Sequence, residues 1–173
     1  LARQIVVFAN RGDRGSGVRH ARDALDKLQP GIPIVVHEDL KLDEIAATAA
    51  ALSADDIVFP LASALDERGV WHDHTDVIVR IGEVSRSPMF DITGHRVRRG
   101  LTLGGRVEDG LEVGHMAARL ALRILRGEDA ARVPVEEGPL VNLFSYAQMQ
   151  RHGIAAASLP AGHTIVGKPP SLY

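Results

Sequence analysis

Three short apolar runs in the first part of the chain constrain the fold more than any other feature. They comprise residues 5–9 (IVVFA), 32–36 (IPIVV) and 57–61 (IVFPL), and each is followed by polar or turn-forming residues. Runs that are short, continuous and rich in β-branched side chains are typical of strands buried on both faces of a parallel sheet. Such strands need helices on either side of them.

The segments near these runs have the spacing of amphipathic helices, with charged residues between the apolar ones. These segments comprise residues 18–28, 43–52 and 75–84. We expect Asp43 to cap the second helix and Thr75 or Asp76 to cap the third, because short polar side chains accept backbone hydrogen bonds at that position. A short fourth strand is predicted at residues 88–91.

Strands that alternate with helices in this way predict an α/β fold, a three-layer parallel sheet with helices on both faces. The connections between its strands are then right-handed crossovers. The length of 173 residues is enough for one domain with a real core.

The second half of the chain is less regular. One more strand is predicted at residues 101–103, and Gly104 and Gly105 after it indicate either a bend before a helix or a close approach to a ligand. Residues 111–126 form the clearest helix of the chain, and one of its faces is apolar. That face comprises Val113, Met116, Ala117, Leu120 and Ile124.

The last third is predicted to contain two strands and one short helix. The strands lie at residues 133–135 and 141–144, around a turn at residues 138–139. The helix covers residues 146–152 and ends at Gly153, since glycine commonly follows a helix end. The tail beyond it is expected to be extended.

Composition excludes several classes of function. Lysine and arginine number 20 against 22 acidic residues, so the net charge of -2 provides no basic excess to attract nucleic acid. The absence of cysteine from the sequence rules out disulfide scaffolds, thiolate metal sites and cysteine nucleophiles. No apolar run approaches the roughly 20 residues that a membrane-spanning helix needs.

A glycine-rich turn follows the first apolar run at residues 12–17 (GDRGSG). Turns between a strand and a helix bind phosphates, because free amides and the helix dipole favour an anion. Glu38 and Asp39 follow the next run, where a dinucleotide fold keeps its ribose-binding acid. The glycine order differs from both the dinucleotide and the Walker patterns, so a flexible strand-to-helix turn is the favoured interpretation.

Two other sets of residues are candidates for metal binding and for catalysis. The possible zinc or nickel ligands are His72, Asp73, His74 and Asp76. A solvated loop is favoured for them, because no further ligand is identifiable. The possible nucleophiles are Ser16, Ser63 and Ser85. Spacing implies a catalytic partner for none of them and no catalytic signature is present, so we expect no reaction and no cofactor.

Several stretches of the second half resemble a known family. Residues 114–128 (GHMAARLALRILRGE) and 133–135 (VPV) are similar to a helix and strand of type I periplasmic binding proteins. Earlier in the chain, the loop at residues 66–69 (DERG) and the strand at residues 88–91 (PMFD) also resemble parts of that family. Residues 144–154 (FSYAQMQRHGI), 159–166 (LPAGHTIV) and 169–171 (PPS) resemble the end of the binding-protein-like sensor domains of bacterial sensory-box histidine kinases.

The resemblance implies one lobe of a type I periplasmic-binding-protein fold, related to the Rossmann and flavodoxin arrangements, and a fragment of a two-lobe sensor domain. Residues 1–92 would form the core βα units, residues 93–128 a crossover segment and helix, and residues 129–173 returning strands and a C-terminal extension. In the family the helix at residues 111–126 packs on the other lobe. We expect its apolar face to dock here on the sheet or on a second copy in a homodimer, since each large side chain buried contributes about 1.5–3 kcal/mol.

In parallel sheets ligands bind at the carboxyl ends of the strands. We therefore expect a ligand-binding site with six residues. They are Asn10, Asp13, Arg14, Ser63, Asp66 and Asp91. Arg14 would pair with an anionic group of the ligand, Asn10 and Ser63 would hydrogen-bond it, and Asp91 would take a hydroxyl or an amine.

The function that the resemblance implies is extracytoplasmic ligand sensing in a membrane-anchored two-component histidine kinase. A small molecule would close the two lobes, and the closure would pass to the downstream kinase modules. The expected partners are this ligand, the first lobe and those modules, with no nucleic acid. The alternatives are the substrate-binding component of an ABC transporter and, less favoured, a nucleotide-binding α/β enzyme that uses residues 12–17.

Overall fold

The structure is a computed structural model that describes residues 2–10, 27 and 31–170. The helix predicted over residues 18–28 and the glycine-rich turn at residues 12–17 lie outside the described residues, apart from Lys27, which is helical. Asp13 and Arg14 of the predicted site lie outside them as well.

The described elements alternate between strands and helices. The strands are β1 (Ile5–Ala9), β2 (Ile34–Glu38), β3 (Ile57–Pro60), β4 (Ala64–Leu65), β5 (Trp71–His72), β6 (Gly104–Glu108), β7 (Leu140–Ser145) and β8 (Thr164–Val166). The α-helices are α1 (Leu42–Ala50), α2 (His74–Val84), α3 (Gly94–Arg98), α4 (Gly110–Leu125) and α5 (Tyr146–His152). None of these helices combines the length and the apolar composition needed to cross a bilayer.

The first sheet is parallel, with the strand order β2-β1-β3. Val6 in β1 lies opposite Val35 on one side and Val58 on the other. All five residues of β1 are buried, as the continuous apolar run predicts. Helices α1 and α2 cover one face of this sheet. The buried core there comprises Val6, Phe8, Ile45, Ala49, Val58, Ala62, Ala64, Val77, Ile78, Ile81 and Met89. The predicted α/β fold with a parallel sheet and helices is confirmed.

A short segment joins this sheet to a second one. Met89 bridges to Val58 of β3, and Phe90 bridges to Gly104 of β6, both in parallel. In the second sheet β6 pairs with β7 antiparallel, whereas β7 pairs with β8 parallel. Helix α3 packs on one face through Val97, and α5 packs on the other face through Met149.

The edge strand β8 is short and is followed by residues that cannot prolong it. Gly167 directly after it has a φ of 72°, the left-handed region, so the backbone turns away from the strand direction. Lys168, Pro169 and Pro170 then continue as exposed, irregular chain.

Two strands predicted in the second half of the chain differ from the structure. The strand expected at residues 101–103 lies instead at residues 104–108 and contains the glycine pair, which is therefore not a bend before a helix. Residues 133–135 are not a strand. Val135 is fully exposed and Pro134 has no amide hydrogen to donate to a neighbouring strand.

The caps of two helices also differ from the prediction. Helix α1 begins at Leu42, so Asp43 lies inside its first turn, and the backbone amide of Lys41 donates to the Glu44 carboxylate at 2.8 Å. Helix α2 begins at His74, one residue earlier than predicted, so its cap is Asp73 rather than Thr75 or Asp76. The Asp73 carboxylate accepts the backbone amides of both those residues, at 3.0 Å from Asp76 and 2.6 Å from Thr75. These bonds hold the pKa of Asp73 below its usual value.

Helix α4 covers the predicted range, but its apolar face does not dock on the sheet. None of its residues is buried, and Leu125 is 81% exposed. The helix is held instead at its start, where Asp109 accepts the amide of Leu111 and pairs with Arg98 of the adjoining helix α3. Near the end of the helix, Arg123 Nη1 lies 3.4 Å from the Glu136 Oε1 atom, in the irregular segment that leads to β7. The predicted docking on the sheet is therefore wrong, and a homodimer through this face stays a prediction.

Gly104 provides a test of the junction between the two halves. Its φ is 128°, and a Cβ at this position would overlap the carbonyl oxygen of Leu143 in β7. We expect Gly104→Ala to lower the free energy of unfolding by about 2–4 kcal/mol, measured by urea denaturation, because the β6–β7 backbones must move apart. Gly114→Ala is the matched control, since a Cβ there meets nothing within 4 Å and should stabilise α4 by about 0.5–1 kcal/mol. Equal effects of the two substitutions would contradict this close approach.

Asp109 provides a test in the acid range. The hydrogen bond from Arg98 is the main cause that holds the pKa of Asp109 below its ordinary value of 3.8. A carboxylate whose pKa is lowered on folding stabilises the protein above its unfolded pKa, and this contribution is lost as the pH falls through the folded pKa. Asp109→Asn retains a capping side chain but removes the charge. Below about pH 5 the free energy of unfolding should therefore fall less steeply in this variant than in the wild type, as measured by urea denaturation at a series of pH values.

Candidate ligand-binding site

The carboxyl ends of β1 and β3 are tied together by two side chains that the sequence places at these ends. The Asn10 amide nitrogen donates to the Ser63 carbonyl oxygen at 2.8 Å, and its amide oxygen accepts the Ser63 backbone amide at 2.8 Å. The Ser63 hydroxyl donates to the same oxygen at 3.3 Å. The structure thus brings these two predicted site residues together, with most of the hydrogen-bonding capacity of Asn10 directed at Ser63.

A two-stranded hairpin, β4–β5, stands directly after Ser63. Asp66 organises its turn, because one carboxylate oxygen accepts the backbone amides of Val70 at 2.8 Å and Arg68 at 2.9 Å. The hydrogen bond from the Val70 amide is the main cause that lowers the pKa of Asp66 below its usual range. Asp66 is therefore at the expected edge, where its carboxylate shapes the hairpin.

The hairpin presents apolar side chains to solvent beside the strand ends. Trp71 in β5 is 62% exposed, and Leu65, 46% exposed, lies directly opposite it in β4. Cross-strand partners share one face of a hairpin, so these two side chains form a continuous apolar surface. Sequence patterning does not single out these two residues. The available signal was the only tryptophan of the chain, located in a polar loop after the third apolar run.

Asp91 is at the carboxyl end of the next segment and is already engaged. The residue is 5% exposed, and Arg96 Nη1 lies 3.1 Å from each of its carboxylate oxygens. The same carboxylate accepts the backbone amides of Ile92 at 2.7 Å and Thr93 at 3.2 Å. A ligand hydroxyl or amine would have to compete with these partners.

The four candidate metal ligands do not converge on one point. His72 Nε2 lies 3.5 Å from the Asp66 carboxylate, and His72 Nδ1 lies 3.6 Å from the Asp76 carboxylate. His74 Nε2 lies instead 3.0 Å from the Leu61 carbonyl oxygen. Asp73 caps α2. Within residues 2–10, 27 and 31–170, no group of three histidine, cysteine or acidic residues is placed to hold a metal ion.

Comparisons with known proteins bear on the fold. No protein-family model matches the sequence, and no curated protein matches it. A substrate binding protein with adhesive properties from Clostridium difficile, CD0873, in its ligand-free, open structure, has a TM-score of 0.62 at 17% identity, over 95% of this chain and 54% of that chain. A conserved domain protein from Vibrio cholerae O1 biovar El Tor has a TM-score of 0.56 at 20% identity, over 95% of this chain and 54% of that chain.

These matches define the class of fold. The α/β fold of this chain is similar to part of a solved substrate binding protein, and the chain spans about half the length of the two solved structures that it matches. Of the properties that the resemblance implies, the binding-protein fold is thereby confirmed.

The buried pair of Asp91 and Arg96 allows a prediction about stability. Asp91→Ala leaves the guanidinium of Arg96 without its carboxylate in a mostly buried position, which we expect to cost about 2–4 kcal/mol of unfolding free energy. In the double variant with Arg96→Leu as well, the unpaired charge is absent and part of the loss should be regained. Urea denaturation of the wild type, both single variants and the double variant gives the coupling energy. Strictly additive losses would show that the two side chains do not interact.

Proposed function

We propose that this chain binds a small molecule at the carboxyl edge of its parallel sheet, as the ligand-sensing part of a bacterial sensory histidine kinase. The observation that carries the proposal is the exposed Trp71–Leu65 surface directly beside the Asn10–Ser63 pair. Ligand sites are typically apolar surfaces with a few well-placed polar groups, at the carboxyl ends of parallel strands. The fold shared with a substrate-binding protein supports the same interpretation.

The polar part of the proposed site starts from Asn10. Its oxygen accepts two bonds from Ser63 and one of its amide hydrogens goes to the Ser63 carbonyl, so among the described residues the second amide hydrogen has no acceptor. That hydrogen is available to a carbonyl or carboxylate oxygen of a ligand. Arg14, which the sequence places in the turn after β1, is proposed to pair with an anionic group, and Asp13 in the same turn completes the polar set.

Two other predicted site residues take supporting roles in this proposal. Asp66 fixes the hairpin that carries Trp71, through its bonds to the Val70 and Arg68 amides. Asp91 holds Arg96 at the end of the next segment and comes within reach of a ligand only if that ion pair opens. The apolar contact of Trp71 and Leu65 would then supply affinity, while Asn10 and Arg14 orient the ligand.

The choice between sensor and transporter component rests on the resemblance. Residues 144–154, 159–166 and 169–171 resemble the end of histidine-kinase sensor domains, and this favours the sensor. In that role the domain is extracytoplasmic and membrane-anchored, and ligand binding closes it against a first lobe. Binding at the same edge would equally serve an ABC transporter, which remains the alternative.

The single tryptophan makes the proposed site directly observable. A panel of amino acids, sugars and short peptides is titrated into the purified chain while Trp71 emission is recorded. A compound that binds at the carboxyl edge should shift or quench the emission, because the indole passes from water into contact with the compound. A compound that raises the melting temperature without any change in emission would place binding elsewhere.

A pair of variants then tests the contact by calorimetry with the compound so found. Trp71→Ala removes an exposed side chain, so the fold should be retained, and we expect affinity to fall about tenfold, or about 1.4 kcal/mol. Leu125→Ala near the end of α4 is the matched control, since it removes another exposed apolar side chain that is not part of the proposed site, and it should bind as the wild type does. Unchanged affinity in Trp71→Ala would remove the hairpin from the site.

A further inference from the structure

A pocket of about 320 Å³ lies at the amino ends of the strands of the first sheet, opposite the carboxyl edge. It is lined by Ala54, Ser85, Arg86, Arg151 and His152. Ala54 precedes β3, and Ser85 precedes the segment that carries Met89. Because β3 and this segment run parallel, both lining residues lie at the amino ends of the strands. The pocket is therefore separate from the Asn10–Ser63 edge and shares no residue with it.

Three basic side chains converge on this pocket. Arg151 Nη2 donates to the carbonyl oxygens of Gly82 at 2.9 Å and Ser85 at 3.0 Å, which fixes its guanidinium at the end of α2. Burial lowers the pKa of His152, and the positive charge of Arg151 acts in the same direction. Over the described part of the chain, no acidic side chain forms an ion pair with Arg86, Arg151 or His152.

The ionisable side chains that line the pocket are basic, and two helix ends oppose their charge. Helices α2 and α5 both end here, and each carboxyl terminus carries a partial charge of about -0.5. Together they offset about one of the two guanidinium charges of Arg86 and Arg151, so the groups that line the pocket keep a positive charge, with the His152 imidazole beside them. Guanidinium groups bind phosphate and carboxylate oxygens through paired hydrogen bonds, and the imidazole can donate one more.

We propose that this pocket is a second binding site, which takes a multivalent oxyanion bearing phosphate or several carboxylates. Arg86 supplies an exposed guanidinium. Arg151 supplies the guanidinium nitrogens that are not bonded to the carbonyl oxygens at the end of α2. The site is independent of the ligand site proposed at the carboxyl edge, so either can fail without the other.

The probes are inorganic phosphate, citrate and, as a reference of equal ionic strength, sodium chloride. Each is titrated into the chain at constant pH, while the ring signals of His152 are followed by NMR and the melting temperature is recorded. The His152 signals are assigned by comparison with His152→Gln. Phosphate, citrate or both should shift these signals in a saturable way, and chloride should not.

Substitution of Arg86 locates the response. Arg86→Ala should weaken binding of the responding anion about tenfold, because a charged hydrogen-bond donor is lost. Arg106→Ala removes another exposed arginine, in β6 and outside the pocket lining, and should leave binding unchanged.

The titrations with phosphate and with citrate distinguish the two kinds of oxyanion that the pocket could bind. A response to phosphate alone assigns a phosphate-bearing ligand, and a response to citrate alone assigns a polycarboxylate. An equal response to chloride, a rise in melting temperature without any change at His152, or equal weakening by Arg86→Ala and Arg106→Ala would show an adventitious ion only and overturn the proposal.

Discussion

The parallel pairing of β1 with β2 and β3 is the interaction on which the rest of the structure depends. All five residues of β1 are buried, and burial of each large apolar side chain contributes about 1.5–3 kcal/mol. Phe8 faces the core beneath α1 and α2, while Val7 faces the opposite side of the sheet. Because the strands are parallel, their carboxyl ends meet at one edge. Asn10 therefore reaches Ser63 across 53 residues of sequence.

The elements that could be predicted are those whose signals are local. The β1 run is continuous and apolar, and α5 is bounded by Ser145, whose hydroxyl accepts the Gln148 amide, and by Gly153 with a φ of 65°. The direction of β7 carries no such signal, because its antiparallel pairing with β6 joins residues on either side of α4. Val133 and Val135 have the composition of a strand but no neighbour to pair with, so composition misleads there.

The same distinction applies to the candidate site. Asn10, Ser63, Asp66 and Asp91 lie where strand ends predict them, but their partners could not be foreseen. Asp91 is held by Arg96, and Asp66 is used by the backbone of its own turn. The exposed position of Trp71 depends on a hairpin whose strands are two residues each, too short to produce any periodic pattern.

The two ends of the parallel sheet thus differ in chemistry. The carboxyl edge combines an apolar hairpin with amide and hydroxyl groups, whereas the amino edge gathers two arginines and a histidine around a pocket. One short sheet provides both because the loops at its two edges belong to different connections. Each set of loops can then vary without disturbing the buried strands that hold it.

The residues after β8 have a consequence for behaviour at high concentration. An outermost strand offers unpaired backbone groups that can recruit another chain and begin fibril growth. Here that strand is three residues long, and Lys168 adds a charge that repels a second copy of the same strand. Pro169 and Pro170 lack the amide hydrogens that a longer intermolecular ladder would require. This margin of the fold is thereby protected against cross-β polymerisation.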